Sequence, residues 1–102
     1  MTYEEGETSA RKLVEQAKLI LAGKYDVKLD RGFDGPIIST SEPINTYQSR
    51  VQELMVICND LHLACDNVKS STAAETGPLA HDNLRREVGR HLESAEKLLK
   101  DL

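Results

Sequence analysis

The sequence of 102 residues has no Trp, three Tyr and one Phe, so its core has few aromatic rings to pack. A core built from Leu, Val, Ile and Ala suits packed helices better than a β-sandwich. The longest apolar run, LMVIC at 54–58, is far shorter than the roughly 20 residues of a membrane-spanning helix. A chain of this length forms one domain. The composition predicts a single all-α domain over residues 1–102, with no membrane partner.

Basic residues are not in excess, since 13 Lys and Arg stand against 17 Asp and Glu, for a formal net charge of −4. A nucleic-acid-binding surface is expected to be basic, so we expect no nucleic-acid partner. Cys58 and Cys65 lie about 10 Å apart along one predicted helix, beyond the reach of a disulfide. The first residues, MTYEEGE, resemble no secretory signal, and two free thiols then favour a cytoplasmic location.

Helix 1 is predicted over about 8–22, where apolar residues recur at a spacing of three and four. Thr8 or Ser9 can cap its start, and Gly23 can take the left-handed conformation that ends many helices.

Helix 2 is predicted over about 43–69, with Ser41 or Glu42 before Pro43 in the first turn. Met55, Ile57 and Leu63 would widen its apolar face. The heptad seam on this face contains Ile44, Tyr47, Val51, Leu54, Cys58, Leu61, Cys65 and Val68.

Helix 3 is predicted over about 78–102, with Pro78 in its first turn. Gly89 costs this helix about 1 kcal/mol relative to Ala, which favours a close approach of another backbone there. The seam of helix 3 contains His81, Leu84, Val88, His91, Ala95, Leu98 and Leu102, with Leu92 and Leu99 beside it.

The predicted fold is a three-helix bundle in which helices 2 and 3 form a long antiparallel pair and helix 1, about 22 Å long, covers part of their groove. The loop 24–42 is predicted to be ordered and to cover the rest, and YDVKL within it suggests a short strand. Its apolar anchors are Tyr25, Val27, Leu29, Phe33, Ile37 and Ile38. The width of the helix 2 seam also allows a homodimer.

The turn DRGFDGP carries the candidate partner-binding residues Arg31, Phe33 and Asp34. Arg and aromatic residues at a turn are typical of surfaces that bind other proteins. In the alternative interpretation, Phe33 turns inward and caps the bundle.

Helix 3 carries a cluster of three arginines, Arg85, Arg86 and Arg90. Arg86 and Arg90 share a face and are candidates for clamping a phosphate or carboxylate, which would make an oligomer a binder of a small anion such as a nucleotide. The alternative is a solvated surface on which these arginines pair with Asp82, Glu87 and Glu93.

The cysteines and histidines offer a weak metal candidate, Cys58 with His62, and His91 from helix 3 as a further ligand. The two cysteines are too far apart along the helix to share one ion, and free Cys is often a small buried hydrophobe. No cofactor is expected.

Two stretches resemble helices of known scaffolds in their heptad pattern alone. TYQSRVQELMVICNDLHLACDNV is similar to helices of Mediator-type transcription scaffolds, and LESAEKLLKDL to the last helix of microtubule-interacting-and-trafficking domains. Each likeness covers one helix, so it implies no family and no residue role.

The sequence contains no Gly-flanked serine of the hydrolase type and no thiol in an electropositive setting, so we expect no enzyme. The first hypothesis is a protein-interaction module, such as a small adaptor, inhibitor or assembly subunit, that binds through the loop 24–42 and the helical hairpin. The second is the anion binder described above.

Overall fold

The structure is a computed structural model that describes residues 2–29, 43–71 and 77–102. It contains the helices α1 (Tyr3–Leu21), α2 (Thr46–Ser70) and α3 (Pro78–Lys100), and the described ranges contain no strand. The predicted all-α three-helix fold is confirmed. Among the described residues, no helix combines the length and the apolar composition needed to cross a membrane.

The start of α1 lies at Tyr3, ahead of the predicted position, because Thr2 and Glu5 form a reciprocal capping box. The Thr2 hydroxyl accepts from the backbone N–H of Glu5 at 3.1 Å, and the Glu5 carboxylate accepts from the N–H of Thr2 at 3.3 Å. Capping by Thr8 or Ser9 is therefore wrong, since both lie inside the helix. With 19 residues, α1 is about 28 Å long rather than 22 Å.

The end of α1 is formed as the sequence predicts, around Gly23. This glycine has a φ of +91°, and its N–H donates to the carbonyl of Ile20 while the N–H of Lys24 donates to that of Leu19. These two bonds define a Schellman motif, which glycine adopts without steric cost.

The start of α2 differs from the prediction because Asn45 is its N-cap. The Asn45 side chain accepts from the N–H of Gln48 at 2.8 Å, and the Gln48 side chain accepts from the N–H of Asn45 at 3.2 Å. Pro43 and Ile44 consequently precede the helix, and Ile44 is 49% exposed instead of joining the seam.

The core is formed where the seams of the three helices meet. On α2 the predicted seam is buried from Val51 to Val68, and α3 buries His81, Val88, Leu92, Ala95 and Leu99. The contribution of α1 consists of Ala10, Leu13, Val14, Ala17 and Ile20.

Two expectations about packing are wrong. Leu63 does not widen the buried stripe, because its side chain is 60% exposed. Gly89 does not allow another backbone to come close, because a Cβ atom built on it meets nothing within 4 Å among the described residues.

Contacts between the helix ends confirm that α2 and α3 are antiparallel. The Arg50 guanidinium, near the start of α2, donates to the carbonyl of Asp101, just after the end of α3. At the opposite end of the bundle, Arg85 near the start of α3 donates to the carbonyl of Leu21 at 2.5 Å. This second contact shows that α1 is also antiparallel to α3.

The helices α1 and α2 consequently run in the same direction. The side chain of Gln52 donates to the hydroxyl of Tyr3 at 3.3 Å at one end, and Lys69 donates to the carbonyl of Val27 at the other. The end of α1 and the start of α2 therefore lie at opposite ends of the bundle. An α2 of 25 residues is about 37 Å long, and a chain needs at least about 11 residues to span that length even when fully extended. The length of this connection is a requirement of the topology.

The described start of the connection packs onto the core, as predicted, but without a strand. Tyr25, Val27 and Leu29 are half-buried against core residues. The Tyr25 hydroxyl lies 3.3 Å from Nε2 of His81, and the two rings meet edge to face. The predicted ordered loop continues into 30–42, which lies outside the described residues, as do the anchors Phe33, Ile37 and Ile38.

Candidate functional site

The exposed face of α2 carries large apolar side chains. Val56 is 63% exposed and Leu63 is 60% exposed, on the side opposite the buried seam. Seven residues make almost two full turns, so these two side chains lie on one line about 10 Å apart along the helix. Both are large enough to anchor a contact with another molecule.

The polar neighbours of Val56 and Leu63 are mostly uncharged. Gln52, Asn59 and Asn67 are exposed on the same side of α2. We call the surface formed by Gln52, Val56, Asn59, Asp60, Leu63 and Asn67 the outer α2 face. Uncharged amides lose less on desolvation than ionised groups, so this composition suits the centre of a protein interface.

The charges on α2 have one sign between its two ends. From residue 51 to residue 68 the helix carries Glu53, Asp60 and Asp66 and no Lys or Arg. The cations that bound this stretch, Arg50 and Lys69, donate to backbone carbonyls of other segments. The outer α2 face therefore carries one negative charge, that of Asp60, with Glu53 beside it and no Lys or Arg.

A groove of about 160 Å³ lies beside Leu63, between α2 and α3. Ala64 and Leu84 provide its apolar surface, and Asp60, Asn67, Glu87 and His91 provide its polar surface. Its position extends the apolar line of Val56 and Leu63 toward α3, and its volume suits one aliphatic side chain.

The predicted partner-binding residues Arg31, Phe33 and Asp34 lie outside the described residues. Their contribution to a site stays a prediction.

The three arginines of α3 are not gathered into one site. Arg85 is directed toward α1, where it donates to the carbonyl of Leu21, and its Nε atom is buried without a hydrogen-bond partner among the described residues. Arg86 and Arg90 are exposed and pair with acidic residues of their own helix, Arg86 with Asp82 at 3.1 Å and Arg90 with Glu87 at 2.6 Å. These contacts match the solvated-surface interpretation.

The cysteines are part of the core. Burial raises the pKa of the Cys58 thiol to about 12 and that of Cys65 to about 11, with a smaller contribution to Cys65 from the charge of Asp66. Both thiols are therefore protonated near neutral pH, a form that neither binds metal well nor acts as a nucleophile.

The histidines proposed as metal ligands contact carboxylates instead. His62 Nδ1 lies 3.7 Å from Asp66 Oδ2, and His91 Nε2 lies 3.7 Å from Glu87 Oε2. Across 2–29, 43–71 and 77–102, no three His, Cys, Asp or Glu side chains are grouped so that they could hold a metal ion. The structure thus provides no ligand set for the weak metal candidate in those ranges.

The outer α2 face was not predicted, although the sequence contains a signal for it. The periodicity of α2 predicts Leu63 as part of the core stripe and gives no role to Val56. Their spacing of seven residues, in a helix stretch without Lys or Arg, marks a second apolar line opposite the first.

Comparison of the chain with protein-family models, with curated proteins and with solved structures finds no match.

Proposed function

We propose that this chain is a non-enzymatic protein-interaction module that binds its partner through the hairpin of α2 and α3, with the outer α2 face as the main contact. The observation that carries this proposal is the exposure of Val56 and Leu63 on one line of a helix whose opposite side is buried. Contiguous apolar surface that is exposed to solvent is a mark of interaction sites, whereas apolar side chains scattered singly are not.

Burial of the apolar side chains of the outer α2 face would provide enough free energy to support binding of a partner protein. Covering the exposed parts of Val56 and Leu63 stabilises a complex by about 1–2 kcal/mol for each side chain. The groove next to Leu63 adds a place where a side chain of the partner can be buried. Two anchors and one pocket resemble the small set of side chains that supplies most of the affinity in protein interfaces.

The loop 24–42 remains part of the proposal as a second contact, through Arg31, Phe33 and Asp34. Its described start, at Tyr25 and Val27, is held against the bundle.

The contacts of Arg85, Arg86 and Arg90 favour the interaction module over the anion-binding alternative. Two of these arginines already have carboxylate partners and the third is engaged with a backbone carbonyl. We also propose a cytoplasmic location, which the two buried free thiols support because they suit a reducing compartment.

The proposal is tested with the double variant Val56→Ser/Leu63→Ser and the control Leu79→Ser. Leu79 is also an exposed leucine, at 74%, but it lies at the start of α3 away from the outer α2 face. The native chain and each variant are immobilised and exposed to an extract of cells that naturally produce the chain. The proteins that they capture are quantified by mass spectrometry. We expect the double variant to capture at least about tenfold less of the specific partner, since a loss of about 1.4 kcal/mol in binding free energy corresponds to a factor of ten in affinity.

Circular dichroism and urea unfolding establish that both variants keep the fold. Retention of the same captured proteins by a folded double variant, at the level of the control, would contradict the proposal.

A further inference from the structure

We propose that the segment bound on the outer α2 face is an amphipathic helix of a different protein whose apolar stripe is flanked by Lys or Arg. This inference rests on the proposed function and adds the chemical class of the partner. Its basis is the charge of the face and the geometry of the adjoining groove.

The charge argument begins with Glu53 and Asp60. Neither carboxylate forms an ion pair with a described residue, and both are exposed beside the apolar line. Asp60 also borders the groove next to Leu63. An approaching segment with basic flanks would pair with these carboxylates, whereas an acidic one would be repelled, so the face selects a basic partner.

The geometric argument concerns the shape of the bound segment. Val56 and Leu63 are separated by two helical turns, and the groove between α2 and α3 continues beside the second of them. A helix with apolar residues at i, i+3, i+4 and i+7 places its side chains at matching intervals, as in known helix-in-groove complexes. No strand edge exists in the described ranges on which an extended peptide could add a strand.

A second copy of this chain fits the face poorly. If two α2 helices packed antiparallel with Val56 of each against Leu63 of the other, the symmetry axis would pass between residues 59 and 60. Asp60 would then face Asp60 of the second copy, with no Lys or Arg between residues 51 and 68 to compensate. The outer side of α3 offers Arg86 and Arg90 but is largely polar, so it cannot cover the two anchors.

The probe for this proposal is a fluorescent synthetic helix of about 18 residues, made of Leu at helical spacing with Lys elsewhere. The matched peptide carries Glu in place of Lys. Binding to the full chain is followed by fluorescence anisotropy at about 20 mM and about 300 mM salt. We expect saturable binding of the Lys peptide that weakens with salt, and at least about tenfold weaker binding of the Glu peptide.

Two charge reversals with the same change in net charge give the decisive comparison. Asp60→Lys alters the outer α2 face, while Glu93→Lys alters an exposed carboxylate on the outer side of α3. We expect Asp60→Lys to weaken binding of the Lys peptide about threefold to tenfold and to reduce its salt dependence, and Glu93→Lys to change it less than twofold. Leu63→Ser should weaken the same binding as well.

Four outcomes would overturn the proposal. Equal binding of the two peptides, or equal effects of Asp60→Lys and Glu93→Lys, would show that the face does not select a basic helix. Dimerisation of the free chain that Leu63→Ser abolishes, seen by analytical ultracentrifugation, would make a second copy the occupant. A fall in melting temperature in Val56→Ser/Leu63→Ser that is absent from Leu79→Ser, and larger than the loss of helix propensity from Ser explains, would show that another part of the chain covers the face.

These results separate the partner class from the proposed function. If native partners are captured through Val56 and Leu63 but the Lys peptide fails, the interaction module stands and the basic helix is wrong. If the face is covered by the chain itself, both proposals fail together.

Discussion

The helices α2 and α3 share a packing seam of similar length and yet differ on the sides they turn to solvent. The outer side of α3 carries charges of both signs, and Arg86 and Arg90 find carboxylates one turn away on the same helix. The outer side of α2 presents Val56 and Leu63 with amides and acids around them. A helix that balances its own charges needs no partner for them, whereas α2 leaves apolar area exposed and carries Glu53 and Asp60, which form no ion pair with a described residue.

The two faces of α2 differ in the same way. One face is covered by the two neighbouring helices, and the opposite face is covered by none of the described residues. Predictions about the buried line concern folding, and predictions about the exposed line concern binding.

The largest expected effect separates two leucines on α2 that lie only two residues apart. Leu61→Ala removes a side chain from the core and should lower the free energy of unfolding by about 2–5 kcal/mol. The matched change Leu63→Ala, on the outer face, should alter it by no more than about 0.5 kcal/mol. Urea unfolding measures both. Similar losses of unfolding free energy in the two variants would mean that the outer α2 face is packed against other residues. The outer sides of α2 and α3 would then not differ in exposed apolar area.

The second effect is a loss of stability at high pH that arises from the buried thiols of α2. The unfolded chain loses thiol protons above an ordinary pKa of 9.0, while Cys58 and Cys65 in the folded chain keep theirs up to about pH 12 and about pH 11. The stabilisation is present below pH 9.0 and is lost as pH rises from there toward the folded values, by up to about 1.4 kcal/mol per pH unit for each thiol.

The measurement for this pH effect is urea unfolding at several pH values between about 7 and 10.5, on the native chain and on Cys58→Ala/Cys65→Ala. The Ala variant is less stable at neutral pH, but its stability should fall less steeply above pH 9.0. Other titrating groups affect both proteins alike. If the free energy of unfolding falls equally with pH in both proteins, the thiols are accessible to water and the inner face of α2 is not tightly packed.

The smallest expected effect is a gain in stability from a substitution in α3. Gly89→Ala places a methyl group in open space on a helical backbone, so it should stabilise the fold by about 0.5–1 kcal/mol. The control is Gly23→Ala, where the same methyl group meets a backbone with a φ of +91° and should be destabilising. Thermal unfolding of the two variants gives the signs. A loss of stability at position 89 would show that another part of the chain packs against α3 there.

Much of the secondary structure could be predicted because its signals are local. Apolar spacing identified α2 from Val51 to Val68, and Gly23 and Pro78 marked the end of α1 and the start of α3. The helix starts at Thr2 and Asn45 were missed although both capping pairs are visible in the sequence, since Thr8 and Pro43 offered competing signals.

The candidate site was harder to predict, because exposure depends on what lies opposite. Leu63 and Leu61 are the same residue type on one helix, and periodicity alone placed both near the core. For the arginines of α3 the sequence allows either a shared anion site or a solvated surface, and only the contact with Leu21 shows that Arg85 belongs to the packing of α1.

The sequence by itself determined the number of helices, the seams that pack them and the acidic character of α2, because periodicity and charge are properties of neighbouring residues. Only the tertiary structure decided that α1 and α2 run in the same direction, since that depends on contacts such as Gln52 with Tyr3, far apart in the chain. The same long-range packing decided that Val56 and Leu63 remain exposed. The helices α1 and α3 cover one side of α2, and their positions determine which side of α2 is left exposed.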